Sequence, residues 1–89
     1  VLAQHQVYYP TFYPQPGFAE QDANEILAAV ITGLKTIESQ IDLSKAVALA
    51  FSSAMHSVVA VNKKCETLTP LIIWADTRSS AQAKELRHT

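Results

Sequence analysis

Two corners of this 89-residue chain carry side chains suited to touching a ligand. The first is Met55-His56, which follows the apolar run 46–51 and the small residues Ser52, Ser53 and Ala54. The second is Trp74, at the end of the apolar run 71–74, with Asp76 and Arg78 behind it. In open α/β sheets ligands sit beyond the carboxyl ends of strands, so two polar-tipped strands are candidate walls of one cleft. Taken singly, each residue also has a plainer reading. A histidine at a strand end is more often hydrogen-bonded structure than catalyst. Trp74 alone suits a core, and Asp76 with Arg78 reads as a helix cap and a surface pair worth at most about 1 kcal/mol.

Other chemistry is weaker still. Ser53 lies near His56 in sequence, which is little evidence for a nucleophile and its base. His5, His56, Cys65 and His88 match no metal-ligand spacing. Gly17 and Gly33 are the only glycines, and neither opens a phosphate-binding loop. No catalytic and no metal-ligating residue is assigned.

The corners need a scaffold, and the chain offers a small one. Residues 1–9 form a β-compatible run with imperfect alternation. Pro10, Pro14 and Pro16 lack N–H groups and bias their predecessors to extended geometry, so 9–17 is an aromatic-rich connector. Asp22 is a candidate cap with Glu25 three residues on, as in a capping box. Ile26, Leu27, Val30, Ile31, Leu34 and Ile37 then recur at helical spacing, which predicts an amphipathic helix over 23–39. The run 46–51 predicts a strand buried on both faces, with a helix as the alternative its small alanines equally suit. Runs 57–61 and 71–74 predict two more strands, and Asp76 or Thr77 is the candidate cap of a short helix ending near Leu86. The order strand, helix, strand, strand, strand, helix is α/β with a crossover of the βαβ kind.

Bulk properties set limits. A chain this short holds one small domain at most and buries a modest core. A formal net charge of −1 gives no electrostatic case for nucleic acid or a membrane surface. No apolar run approaches the roughly 18 to 20 residues of a membrane span. The single cysteine, Cys65, forms no intrachain disulfide and favours a reducing, cytoplasmic setting. A start at Val1, inside what reads as a strand, is expected of a piece of a longer polypeptide.

Three segments carry a resemblance. Pro16-Gly17-Phe18-Ala19-Glu20-Gln21-Asp22 resembles the Pro-Gly-Trp-x-Glu-Gln-Asp segment of FGGY carbohydrate kinases, with Phe18 in the Trp place. Ser52-Ser53-Ala54-Met55-His56-Ser57 resembles their Gly/Ser-x-x-Met-His segment, and Leu71 to Ser79 their Ile-x-Trp-x-Asp-x-Arg segment. The order and spacing match the family. Ala54, where xylulose kinases usually have Gln, with Ser53 and Ser57, is more similar to the gluconate branch.

The resemblance implies a partial ribonuclease-H/actin-like domain: a mixed sheet, one long amphipathic helix and a shorter C-terminal helix. It implies that residues 1–89 are part of the N-terminal, sugar-binding domain of an enzyme that transfers the ATP γ-phosphoryl group, with Mg²⁺, to a sugar or sugar acid. Met55 and His56 would contact the substrate and Trp74 would wall its carbon chain. Asp76 and Arg78 would shape the site, with Arg78 a candidate partner for a sugar-acid carboxylate. The general base and the nucleotide site would lie outside this chain, which alone would be inactive. Loss of neighbouring strands would expose an edge at 46–51 and favour self-association. Xylulose or another sugar is the alternative substrate. A non-catalytic protein-binding module, using the Pro-rich aromatic segment, is the alternative of another class.

Overall fold

A computed structural model describes residues 1–88. The elements in chain order are β1 (Glu20–Gln21), α1 (Ala23–Glu38), a 3₁₀ turn (Leu43–Lys45), β2 (Leu71–Ile72) and α2 (Ser80–Arg87). The chain is α/β and divides into two compact units.

The first unit comprises residues 1–9 and 24–53. Its helix α1 begins where the sequence places it and stops at Glu38, one residue short of expectation. The main chain then closes with Ser39 and Ile41 N–H groups donating to the Lys35 and Ile37 carbonyls. Asp42 starts the 3₁₀ turn by accepting the Ser44 N–H at 3.0 Å and its hydroxyl at 2.6 Å. That hydroxyl hydrogen bond, chiefly, lowers the Asp42 pKa. The apolar stripe of α1 stays half open, with Leu27 58% exposed.

Two expected strands do not form, and the expected strand 57–61 is reduced to single bridges at Val58 and Val61. Residues 1–9 and 46–51 carry no strand ladder, and Val47 is fully exposed. A strand needs a partner on at least one edge to satisfy its N–H and C=O groups. Among the described residues nothing pairs with either run. The crossover of the βαβ kind is therefore absent from the described residues, and every pairing they make is antiparallel, not mixed.

The second unit comprises residues 10–23 and those from 54 onward. Four short segments lie side by side across it. Phe12 bridges Glu20, Glu20 pairs with Ile72 of β2, and Ile72 bridges Val58. The Ile72 N–H and C=O both go to Val58, at 2.8 and 2.9 Å, while Glu20 exchanges its pair with Phe12. Beyond Val58 the chain makes a hairpin in which Val61 bridges Thr67. Its tip is fixed by Asn62, whose side-chain oxygen accepts the Lys64 and Glu66 N–H groups. Cys65 sits there at φ 62°, the left-handed residue that a three-residue hairpin loop requires. Among the described residues Ala19 is the one that is buried, at 2% exposure.

Helix α2 starts later than expected. Ser79 is its N-cap residue and makes no side-chain capping hydrogen bond. Neither Asp76 nor Thr77 caps it, because Asp76 is already committed to Ala19 and Arg78.

Candidate functional site

Every candidate site residue lies in the second unit. The Val58–Ile72 bridge organises them. Counting two residues back from Val58 reaches His56, and two forward from Ile72 reaches Trp74. In an antiparallel pair those positions flank the same end, so both corners lie at one end of this pair. Met55 is 71% exposed there. His56 is exposed as well, at φ 63°. That left-handed geometry is uncommon outside glycine, although histidine tolerates it better than most residues.

Trp74 is not core: it is 67% exposed. It stands on a tight turn, closed by the Asp76 N–H donating to the Ile73 carbonyl at 3.0 Å. Both ends of this turn are tied to one residue. The Ile73 N–H donates to the Ala19 carbonyl at 3.2 Å, and the Ala19 N–H donates to Asp76 Oδ2 at 2.7 Å. The most buried residue of the chain thus holds the turn that displays its largest side chain.

Arg78 locks this arrangement. Its Nε donates to both carboxylate oxygens of Asp76, at 2.9 and 3.0 Å. One terminal nitrogen reaches Asp76 Oδ2 at 2.7 Å and Glu20 Oε2 at 2.6 Å. The guanidinium lies 3.8 Å from the centre of the Phe18 ring, an arrangement that a planar cation favours. The Asp76 side chain is only 3% exposed. Hydrogen bonding from Arg78, first, and from the Ala19 and Arg78 N–H groups, holds the Asp76 carboxyl far below the usual carboxylate range, against the opposing effect of burial. The same contacts with Asp76 and Glu20 raise the Arg78 pKa further.

The loop before β1 completes the corner. Gln15-Pro16-Gly17-Phe18 is a turn with Pro and Gly at its centre, Gly17 at φ 83°, and the Phe18 N–H donating to the Gln15 carbonyl at 3.0 Å. The Gly17 carbonyl then accepts the Thr77 N–H at 2.7 Å.

The residues that sequence reasoning underused are therefore Glu20 and Phe18. Both were legible only as part of the Pro-Gly-Phe-Ala-Glu-Gln-Asp segment, and their partner, Arg78, lies far away in the chain. Among the described residues no three His, Cys, Asp or Glu side chains group to hold a metal ion. Asp76 is occupied and Gly17 faces Thr77, so these residues do not fit Mg²⁺ or a triphosphate. Among the described residues no helix is long and apolar enough to cross a membrane.

The model of the FGGY family of carbohydrate kinases, N-terminal domain, matches residues 1–89. A gluconokinase from Bacillus subtilis (strain 168) is 38% identical over 87 residues, 98% of this chain. A xylulose kinase from Staphylococcus xylosus is 28% identical over 87 residues. The chain spans 17% of the length of the first of these relatives and 18% of the second. The crystal structure of a gluconate kinase from Lactobacillus acidophilus superposes with a TM-score of 0.83 at 31% identity, over 90% of this chain and 16% of that one. The chain thus shares the ribonuclease-H/actin-like fold of its structural neighbours, and it is a member of the FGGY family of carbohydrate kinases, whose N-terminal-domain model it matches over residues 1–89.

Proposed function

We propose that the chain is part of an ATP-dependent kinase acting on a sugar or sugar acid, with gluconate as the substrate, and that residues 1–89 are part of its sugar-binding domain. One observation carries this: His56 and Trp74 flank the same end of the Val58–Ile72 pair, exposed, with His56 held in a left-handed conformation. Uncommon backbone geometry of that kind concentrates at ligand sites. An imidazole can donate to or accept from a sugar hydroxyl, and an indole can cover the apolar face of its carbon chain and exclude water. Met55 adds an adaptable apolar contact. Asp76 and Arg78 shape the site rather than move protons.

ATP would supply the phosphoryl group, with Mg²⁺ neutralising its charge, from residues outside this chain. The setting would be cytoplasmic. The chain alone would be inactive and would self-associate through the unpaired run 46–51, eluting above monomer mass in gel filtration. Gluconate is favoured over xylulose by the higher identity to a gluconokinase, 38% against 28% and 32% for two xylulose kinases.

The test is phosphoryl transfer by the full-length protein to gluconate, xylulose and glycerol. Gluconate should give the highest kcat/KM, and His56→Ala should lower it at least about tenfold. Higher kcat/KM on xylulose would change the substrate. Transfer to no sugar, with capture of a protein by the aromatic segment 9–17, would replace the kinase with a binding module.

A further inference from the structure

Resting on that kinase reading, we infer that Arg78 is a positioning residue that acts through Asp76 on Trp74, and that it does not read the carboxylate of a sugar acid. Bidentate recognition of a carboxylate by arginine takes a free fork of two N–H groups. The fork formed by Nε and one terminal nitrogen is taken by Asp76. That same terminal nitrogen also donates to Glu20, so the second fork has only one nitrogen left. Two carboxylates surround a single guanidinium, so the cluster carries a net charge of −1. A sugar-acid carboxylate placed beside it would meet an excess of negative charge. The acid end of such a substrate must therefore point away from this corner, with its neutral hydroxyls and carbon chain toward Trp74.

What Arg78 does instead follows from connectivity. Asp76 accepts the Ala19 N–H and closes the Trp74 turn, and Arg78 fixes the rotamer with which it does so. Through Glu20 the same guanidinium ties this turn to β1, which directly follows Ala19. Without Arg78, Asp76 would keep its charge but lose its orientation, and the Trp74 turn would loosen on its strand.

The experiment compares Arg78→Met, Arg78→Lys, Trp74→Ala and the Arg78→Met/Trp74→Ala double variant in the full-length enzyme. If Arg78 acts through Trp74, Arg78→Met raises KM for gluconate and for an uncharged sugar by the same factor, about tenfold, with kcat nearly unchanged. Arg78→Lys, a point charge without the fork, recovers only part of this. In the Trp74→Ala background, Arg78→Met adds nothing further to KM. A KM rise confined to gluconate, or fully additive effects in the double variant, would overturn the inference. Hydrogen exchange separates this from failure of the kinase reading, because it needs no activity. Arg78→Met should speed exchange of the Asp76, Thr77 and Ala19 amides while leaving the Val58–Ile72 pair protected. Unchanged exchange at those three amides, or loss of protection across the whole domain, would refute the positioning role even in a protein that phosphorylates nothing.

Discussion

Gly17 and Thr77 meet backbone to backbone: the Gly17 carbonyl accepts the Thr77 N–H at 2.7 Å, and a Cβ built on Gly17 would lie 2.9 Å from Thr77 Oγ1. Gly17 also needs its φ of 83°, which an L side chain rarely adopts. Gly17→Ala should therefore destabilise the protein by about 1–3 kcal/mol. Thr77→Ala removes the close contact but not the strain, so adding it should recover only part of the loss. Thermal or denaturant unfolding of the full-length variants measures both.

Acid sensitivity should trace to Asp76. Its folded-state pKa lies below the unfolded value of 3.8, so it binds its proton less readily when folded. The stabilisation it contributes is complete above that unfolded value and is lost as pH falls below about 4 toward the folded one. In Asp76→Asn the melting temperature should be lower at pH 7 and should fall less steeply between about pH 4 and pH 2. Parallel pH profiles for the wild type and the variant would refute this.

Cys65 holds a left-handed conformation at the hairpin tip, where glycine carries no steric cost. Cys65→Gly should raise stability by up to about 1 kcal/mol. Cys65→Val, β-branched at the same φ, should lower it. Unfolding midpoints of the two variants should fall on opposite sides of the wild type.

Helix α1 carries Gly33 in its interior, and a Cβ added there meets nothing within 4 Å. Gly33→Ala should stabilise by about 0.5–1 kcal/mol, through helix propensity and a less flexible unfolded chain. A loss of stability would mean that another part of the full-length protein packs against this position.

Helix α1 was readable because its six apolar residues repeat at helical spacing within one continuous segment. The Met55-His56 and Trp74 corners were readable as residue types, but not as sharing one end of a strand pair, since that depends on the register of Val58 against Ile72. Residues 46–51 show the opposite failure. Composition marks a buried strand, yet whether a strand forms depends on the segments beside it. The Arg78–Glu20 pair was hidden for a related reason: no periodicity links residues 58 apart in sequence. Even the role of Asp76 turned on a long-range partner, Ala19, in preference to the adjacent helix.

The second unit is built from two stretches of chain, residues 10–23 and those from 54 onward, joined by everything between. Its formation must close a long loop before the Glu20–Ile72 pair or the Arg78 contacts return any free energy. The entropic cost of such a closure grows only logarithmically, by about 0.6 kcal/mol for each doubling of length. Residues lengthening or shortening the 39–45 connection should thus disturb equilibrium stability little. The rate is another matter, because non-local pairing slows folding. The Trp74–Arg78 corner should be among the last parts of this unit to assemble, and mutations there should speed unfolding more than they slow folding.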